Sequence, residues 1–242
     1  MTVVLKVGGA STAGVADAVA ALRSQGVCVV HGAGPQITEE MERRGLEVRF
    51  VGGRRVTTPE ALEVVRQSLT SVNEAVCAAI GADSLPLDGD EIGLLAEPTP
   101  ELGLVGTAVP SSPPAVRAAL AAGLVPVVTP LAVAASHDGK AIVARPTDPA
   151  AAGGGGGPLN VNADEAAAAL AVGLGAEKLL FLTDVPGVFH DGELLAEIRA
   201  ADAEALLALG SFEGGIVPKL LAAVRAAKHG LVAEIGETAV LA

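Results

Sequence analysis

The stretch VCVVHGAGPQI at residues 27–37 joins an apolar run to a glycine-bracketed turn and then to the start of a helix. A short apolar run that ends at a turn is typical of a strand buried in a parallel sheet. Glycine lets the backbone approach a ligand closely, and the free N–H groups of a helix N-terminus attract anions. Pro35 suits the first turn of a helix, where its missing N–H costs nothing. The stretch therefore predicts a strand, an anion-binding turn and a helix, unless the turn is only a tight connection.

The same succession of apolar run and helical pattern recurs along the chain, which predicts an α/β fold with buried parallel strands. Apolar runs predict strands at 2–7, 27–31, 125–129 and 178–183. Patterns rich in Ala, Leu and Glu predict helices at 13–25, 35–44, 58–81, 113–122, 162–174, 201–209 and 216–229. Alternating stretches at 92–97 and 103–109 predict an antiparallel hairpin beside the sheet.

A glycine-rich segment interrupts this succession. Residues 146–158 read PTDPAAAGGGGGP, a composition that holds no regular element and is typical of a flexible loop. A second strand-and-helix unit follows directly. We therefore expect two lobes, an N-terminal one over 1–158 and a C-terminal one over 159–242.

Composition excludes several classes of function. Half of the 242 residues are apolar, which is enough for a buried core, and the net charge of −12 opposes binding to nucleic acid. No run of 18 uncharged apolar residues occurs, and no basic segment precedes an apolar one at the N-terminus, so we expect no membrane partner and a cytoplasmic location. Cys28 falls in a strand pattern and Cys77 in a helix pattern, which favours buried free thiols over a disulfide.

Two common nucleotide motifs fail on inspection. GAGPQI carries Ile37 where the third glycine of a dinucleotide-binding G-x-G-x-x-G motif belongs, which argues against a Rossmann dehydrogenase. The pentaglycine at 153–157 leads to Pro158 and not to a lysine, so the chain has no P-loop.

Four other segments carry groups suited to anions. VLKVGGAS at 4–11 places Lys6 beside a second glycine turn, and GGIVPK at 214–219 places Lys219 near a glycine-led helix start. GGRRVT at 52–57 offers two arginines, and a guanidinium can grip a carboxylate with two parallel hydrogen bonds, although paired arginines also occur as solvated surface. Thr57 or Thr58 could cap the helix that follows.

The segment LNVNADEAAAALA at 159–171 is more specific. Two asparagines and an aspartate lie just before and within the first turn of an Ala-rich helix. Helix capping explains one such polar side chain and not three, so we expect a functional role for the others.

These pieces, in this order, resemble the amino acid kinase family, and within it the members that phosphorylate N-acetyl-L-glutamate. The matching motifs span nearly the whole chain: KVGG at 6–9, HGAG at 31–34, GRRVT at 53–57, GLVPVV at 123–128, NVNAD at 160–164, LTDVPGV at 182–188 and GGIVPK at 214–219. The resemblance implies a three-layer α/β/α fold of the carbamate kinase-like type, with an open, mostly parallel sheet. It also implies that the N-terminal lobe binds the acceptor and the C-terminal lobe binds ATP with Mg²⁺.

The resemblance also implies roles for individual residues. Lys6 and Lys219 would flank the transferring phosphoryl group, and Asp164 would hold both lysines in position. The acceptor would be bound by Arg55 and Asn160, with the backbone of Ala33 and Gly34 lining its pocket. The nucleotide would be surrounded by Gly8, Gly9, Asp184, Val185, Pro186, Gly187, Val188, Phe189, Ser211, Phe212 and Glu213.

This set of residues suits the implied chemistry. The side-chain carboxylate of the acceptor is already ionised at neutral pH, so its attack on the γ-phosphate of ATP needs no general base. The reaction does need charge neutralisation and alignment of two mutually repelling anions, which lysines, glycine-turn amides and Mg²⁺ supply.

The chain departs from the family pattern at several places. Ala33 replaces the middle glycine of the turn, which the backbone tolerates if φ there is negative. The family's glycine-rich acceptor-side segment is represented here by PLDGDEIGL at 86–94. The loop at 146–158 resembles an insertion near the acceptor pocket. After Gly230 the chain reads LVAEIGETAVLA, which leaves no room for a helix between the last two strands. Arginine-inhibited members carry a helix ahead of the first strand, whereas Lys6 closely follows Met1 here, so we expect a homodimer without that arginine feedback.

Three alternatives stay open at this point. A related kinase of lysine synthesis acts on acetylaminoadipate and differs chiefly in acceptor length. A non-catalytic nucleotide-binding regulator is favoured by Ala33 and the short C-terminal end, whereas the retained Lys6, Lys219 and Asp164 argue against it. A Rossmann oxidoreductase is the remaining alternative, and NAD rather than ATP would then stabilise the protein.

Overall fold

A computed structural model of the chain describes residues 1–8, 14–135 and 157–242. Within these ranges the strands, in chain order, are β1 Thr2–Val7, β2 Gly26–His31, β3 Phe50–Val51, β4 Arg54–Arg55, β5 Ser84–Leu87, β6 Leu95–Pro98, β7 Val105–Ala108, β8 Val125–Val128, β9 Leu131–Ala134, β10 Pro158–Val161, β11 Lys178–Leu182, β12 Phe189–His190, β13 Glu193–Leu194, β14 Glu197–Arg199, β15 Val232–Ile235 and β16 Thr238–Leu241.

Helices separate most of these strands. They are α1 Val15–Ala21, α2 Gly34–Arg43, α3 Pro59–Ile80, α4 Gly89–Ile92, α5 Pro114–Ala121, α6 Ala163–Leu174, α7 Ala200–Ala208 and α8 Ile216–Ala227, with a 3₁₀ turn at Pro100–Leu102. Each predicted strand and helix is present to within a few residues. The largest difference is α1, predicted over 13–25, because the chain turns after Leu22 to enter β2.

The central sheet has eight strands in the order β14-β16-β15-β11-β1-β2-β8-β5. All neighbouring pairs are parallel except β15 and β16. Lys6 on β1 is in register with Phe181 on β11 and with Val30 on β2. The side chains of β1 and β2 are almost entirely buried, as expected for parallel strands that are covered on both faces.

Helices cover both faces of this sheet, which confirms the predicted three-layer α/β/α fold. One apolar core joins the sheet to α1, α2 and α3, and the other joins it to α5, α6, α7 and α8. The alanines at 166–169 of α6 are fully buried. Their small side chains allow this helix to pack closely against the sheet, so its first turn lies near the end of β1.

The predicted hairpin is confirmed, but it belongs to a larger structure. β6 and β7 are antiparallel, and β9 and β10 close them into a four-stranded barrel. The barrel was not predicted, because its pairings of β9 with β6 and of β10 with β7 join segments that are distant in sequence. Pro158 was predicted to end the loop at 146–158, whereas it begins β10; residues 146–156 of that loop lie outside the described ranges.

The last two strands confirm the expected absence of a helix between them. β15 and β16 form an antiparallel hairpin that turns at Gly236 and Glu237. Gly236 has a φ of +56°, and a Cβ there would lie 2.2 Å from the carbonyl oxygen of Pro186. This turn therefore supports the loop that follows β11.

Two further expectations concern cysteines and membranes. Cys28 is fully buried and Cys77 partly buried, and both are free thiols. In the part of the chain that the structure describes, no helix combines the length and apolar character needed to cross a bilayer.

Candidate functional site

A cavity of about 570 Å³ opens where β1, β2 and β11 end at the carboxyl edge of the sheet. β2 and β11 flank β1 on opposite sides, and in open α/β sheets such a point forms a crevice in which ligands bind. The cavity wall includes Lys6, Gly8, Ala33, Gly34, Arg54, Arg55, Asn160, Asp164, Asp184 and Lys219. The structure thus brings together residues that lie up to 213 positions apart.

Lys6 and Asp164 form a buried ion pair at the base of the cavity. The Lys6 Nζ lies 2.7 Å from the Asp164 Oδ1, and both side chains are only 7% exposed. Asp164 is held in place because Asn162 caps α6, its Oδ1 accepting hydrogen bonds from the backbone N–H groups of Asp164 and Glu165. Capping therefore accounts for Asn162, one of the three polar residues, as predicted.

Lys219 lies in the first turns of α8 and also lines the cavity. Its Nζ donates a hydrogen bond to the carbonyl oxygen of Gly215 at 3.3 Å. Burial lowers the pKa of this amine, Asp164 and Asp184 oppose that effect, and the nearby Lys6 adds to it. Asp164 pairs directly with Lys6, whereas it acts on Lys219 through the Coulomb interaction. Both lysines line the cavity, Lys6 in an ion pair with Asp164 and Lys219 without an ion pair among the described residues.

Arg55 also lines the cavity. It is 7% exposed and donates to the carbonyl oxygen of Gly34 and to the Oγ1 of Thr38, with the Phe50 ring 4.6 Å from its guanidinium carbon. Burial lowers the pKa of this guanidinium, and no carboxylate among the described residues pairs with it. A buried cation without a counter-ion is costly, so Arg55 is suited to meet an anionic ligand.

The two glycine turns face the cavity. An added Cβ at Gly8 or Gly34 would meet no atom within 4 Å, so both positions border open space. Ala33 has a φ of −143°, in the region that any L-residue adopts, and it caps α2 with its side chain buried. The methyl group that replaces the usual glycine hydrogen is therefore accommodated. Gly9 lies outside the described residues.

Asn160 also lines the cavity, on β10. Its Nδ2 donates to the Oγ1 of the buried Thr57, which in turn donates to the carbonyl oxygen of Arg55. The alternatives for the cap of α3 are resolved in favour of Thr58, whose Oγ1 accepts from the backbone of Ala61. Thr57 instead links the predicted acceptor residues Asn160 and Arg55.

The predicted nucleotide segments at 184–189 and 211–213 lie beside the cavity. Of the residues in these two segments, Asp184 alone belongs to the cavity wall. Val185 and Phe189 are exposed, whereas Val188 is buried and its N–H donates to Thr238. The rings of His190 and Phe212 are 6.3 Å apart, which brings the segments at 184–189 and 211–213 together. Ser211 and Glu213 are exposed, and Phe212 packs into the core.

Arg54 was predicted only as one of two neighbouring arginines, either of which could bind a carboxylate. In the structure Arg54 lines the cavity, donates to the Oε1 of Glu165 from both Nε and Nη2, and donates to Thr107 from Nη1. The alternation of side chains along a strand was the available signal, since it directs Arg54 and Arg55 to opposite sides of β4. Glu165 and Thr107 could not be identified, because they lie 111 and 53 residues away.

His31 is fully buried and does not line the cavity. Burial lowers the pKa of its imidazole to about 4, so the ring is neutral at physiological pH. Within the described residues no group of three or more His, Cys, Asp or Glu side chains is placed to hold a metal ion. Among the charged side chains that line the cavity, lysine and arginine outnumber aspartate.

Comparison with known proteins was made on the whole chain. Residues 1–236 match the amino acid kinase family. An acetylglutamate kinase of Kineococcus radiotolerans is 39% identical over 236 residues, covering 89% of this chain and 74% of that protein. An acetylglutamate kinase of Rubrobacter xylanophilus is 39% identical over 242 residues, covering 97% and 88%. A solved carbamate kinase of Giardia lamblia shares the fold, with a TM-score of 0.69 at 15% identity over 99% of this chain and 98% of that one.

Proposed function

The chain belongs to the amino acid kinase family, and we propose that it transfers the γ-phosphoryl group of ATP to the side-chain carboxylate of N-acetyl-L-glutamate. The single observation that carries this proposal is the distribution of cations in one cavity. Lys6 and Lys219 lie close enough to interact electrostatically, and Arg55, which pairs with no carboxylate among the described residues, lines the same cavity. Such a cavity suits two anionic reactants that must be held next to each other.

Arg55 and Asn160 bind the carboxylates of the acceptor in this proposal, with the backbone of Ala33 and Gly34 beside them. Arg55 is already oriented by Gly34 and Thr38 and lacks an anionic partner in the described chain, so an acceptor carboxylate would supply the missing charge. Asn160 is oriented through Thr57 and retains the second N–H of its amide to donate to a carboxylate of the ligand. Little side-chain reorganisation is then needed on binding.

Lys6, Lys219 and Asp164 form the catalytic group. Both lysines neutralise the charge that develops on the transferring phosphoryl oxygens, and Asp164 holds the Lys6 ammonium in place. The acceptor carboxylate is ionised at neutral pH and attacks directly, so no residue has to remove a proton. This explains how the site works although the neutral His31 is buried away from the cavity.

ATP is assigned to the side of the cavity lined by Gly8, Asp184 and Lys219, with the segments at 184–189 and 211–213 beside it. The prediction that Gly9 also contacts the nucleotide belongs to the same proposal. Mg²⁺ usually binds through substrate phosphates, water and one or two carboxylates rather than in an all-protein cage. No cluster of metal-binding side chains occurs in the described residues, which is compatible with that preference. The carboxylate of Asp184, in the cavity wall, could accept a hydrogen bond from a water molecule bound to the ion. When bound, the ion would neutralise phosphate charge.

A hydroxamate assay tests the proposal. The protein is incubated with MgATP, N-acetyl-L-glutamate and hydroxylamine, which traps an acyl phosphate as a coloured hydroxamate. Glutamate, aspartate and acetylaminoadipate serve as acceptor controls. We expect hydroxamate with N-acetyl-L-glutamate alone. Product with acetylaminoadipate instead would reassign the acceptor, and no product from folded protein would contradict the kinase function.

The division into an acceptor lobe at 1–158 and a nucleotide lobe at 159–242, the homodimer and the cytoplasmic location are parts of the same proposal. Light scattering tests the oligomeric state, with a dimer expected and a hexamer contradicting it. Inhibition by arginine would contradict the expected lack of feedback. The buried free thiol of Cys28 suits a reducing compartment such as the cytoplasm.

A further inference from the structure

The hairpin formed by β3 and β4 carries Arg55 but has little support of its own. Each strand has two residues, and the turn consists of Gly52 and Gly53, both with positive φ. Phe50 and Val51 are about half exposed, so the hairpin buries little apolar surface. A two-stranded hairpin of this kind is marginal in isolation, and side-chain contacts must hold it against the rest of the molecule.

Arg54 provides such contacts on the side opposite to Arg55. Its Nε and Nη2 lie 3.1 Å and 2.8 Å from the Glu165 Oε1, and its Nη1 lies 2.8 Å from the Thr107 Oγ1. These three hydrogen bonds join the hairpin to the first turn of α6 and to the barrel strand β7. Arg54 and Glu165 are 26% and 20% exposed, so water screens this ion pair only in part.

The position of Glu165 connects this contact with the catalytic group. Glu165 follows Asp164 directly, and Asn162 caps the backbone N–H groups of both. The same helical turn thus holds Lys6 through Asp164 and holds the hairpin through Glu165. A shift of the hairpin away from α6 would carry Arg55 away from the cavity.

We infer that Arg54 is a positioning residue for the acceptor, acting through Glu165 and Thr107 to keep Arg55 aimed into the cavity. The inference rests on the proposed function, since it assigns Arg55 to the acceptor. Arg54 is not a ligand in this inference, because its charge is already neutralised by Glu165. Loss of the contact raises the cost of ordering the hairpin when the acceptor binds, whereas the nucleotide end of the cavity is unaffected.

Steady-state kinetics of Arg54→Leu, Thr107→Val and Glu165→Gln test the inference. We expect the KM for N-acetyl-L-glutamate to rise about tenfold in Arg54→Leu and severalfold in the other two, with the KM for ATP within twofold and kcat within threefold of wild type. Arg54→Lys keeps the charge but loses the planar guanidinium that donates to Glu165 from two nitrogens, so its KM for N-acetyl-L-glutamate should lie between those of wild type and Arg54→Leu. The double variant Arg54→Leu/Glu165→Leu should be no worse than Arg54→Leu alone.

Glu165→Gln separates positioning from direct binding. If Arg54 instead bound the acceptor itself, weakening its bond to Glu165 would release the guanidinium and lower the KM for the acceptor. An unchanged or lower KM in Glu165→Gln would therefore overturn the inference. A parallel rise in the KM values of both substrates together with a lower melting temperature would also overturn it, since that pattern indicates a purely structural role.

Hydrogen exchange of the ligand-free protein provides a readout that does not depend on activity. Amides at 50–56 should exchange at least threefold faster in Glu165→Gln than in wild type, and at the wild-type rate in Glu204→Gln. Glu204 on α7 pairs with Lys228, which directly follows α8, so this contact involves neither the hairpin nor α6 and makes a suitable control. If Glu165→Gln exchanges faster but the wild-type protein forms no hydroxamate, the proposed function is contradicted, whereas the role of the Arg54–Glu165 contact in holding the hairpin is supported. If Glu165→Gln exchanges at the wild-type rate and the wild-type protein forms hydroxamate, the role of the contact is contradicted and the proposed function stands.

Discussion

At the scale of single residues, the buried ion pair of Lys6 with Asp164 and the partly buried Lys219 determine what the cavity can bind. Removing one well-placed cation of this kind costs about 3 kcal/mol of transition-state stabilisation, or roughly a hundredfold in rate. We expect Lys6→Ala and Lys219→Ala to keep the fold, as judged by circular dichroism, and to lose at least that factor in kcat. Lys228→Ala, at an exposed lysine paired with Glu204, should retain wild-type turnover. Near-normal kcat in either cavity variant would remove that lysine from the mechanism.

The pKa of Lys219 leads to a prediction for the pH dependence of activity. Burial favours the neutral amine and lowers the pKa from its ordinary value of 10.5, while catalysis requires the charged ammonium. The profile of kcat/KM for ATP should therefore fall on the alkaline side with an apparent pKa below 10.5, because kcat/KM reports the free enzyme. In Lys219→Arg the group stays charged, so this limb should disappear. An unchanged limb in that variant would assign it to another group.

His31 connects burial with stability at low pH. Its pKa falls from 6.5 to about 4 on burial, so between these values the unfolded state binds a proton that the folded state does not. Protons then favour unfolding, and the protein loses about 2.5 kcal/mol through this group when the pH drops from 7 to 4.5. Urea unfolding followed by circular dichroism should show this loss in wild type and not in His31→Asn. The same substitution at the exposed His229 should leave the loss in place, and equal losses in wild type and His31→Asn would contradict the assignment.

The sequence indicated the chemical groups of the site better than their contacts. Lys6, Asp164 and Lys219 stood out because each lies beside a glycine turn or near the start of a helix. The Lys6–Asp164 pair itself depends on packing between β1 and α6, which no local spacing encodes. The contact of Arg54 with Glu165 was missed for the same reason.

At the scale of elements, the placement of α6 is set by a glycine. A Cβ on Gly173 would lie 2.1 Å from the carbonyl oxygen of Ser111, so the helix touches the backbone before α5. Alanine in a helix is normally about 1 kcal/mol more favourable than glycine. We nevertheless expect Gly173→Ala to lower the free energy of unfolding by about 2 kcal/mol, because the added methyl forces backbone apart. Gly215→Ala, where an added Cβ meets no atom within 4 Å, should be close to neutral in urea unfolding, and a stabilised Gly173→Ala would contradict the close packing.

The predictability of each element followed its length and its periodicity. β1, β2 and β8 are buried on both faces, and together with β11 they appear in the sequence as mainly apolar runs, so they were predicted almost to the residue. The long helices were predicted equally well. By contrast, β3 and β4 pair with each other and have two residues each, which is too few to show a period. β9 and β10 owe their pairing to partners that are distant in sequence.

At the scale of the whole molecule, the sheet crosses the proposed boundary between the lobes. β1 and β2 from the first 158 residues continue directly into β11 and β15 from the remainder. The cavity likewise takes Arg55 and Ala33 from one side of the boundary and Asp164 and Lys219 from the other. A ligand in the cavity therefore contacts both parts, and neither part can complete the sheet alone.

This continuity predicts that the protein unfolds in one transition. We expect differential scanning calorimetry to give a single peak whose calorimetric and van't Hoff enthalpies agree. MgATP alone or N-acetyl-L-glutamate alone, each at about 100 times its Kd, adds about 2.7 kcal/mol and should move the whole peak up by roughly 5–11 °C. NAD should produce no shift, since a shift with NAD and none with ATP would favour an oxidoreductase. Two peaks, only one of which responds to each ligand, would instead show that the lobes unfold separately and that the shared sheet is too weak to couple them.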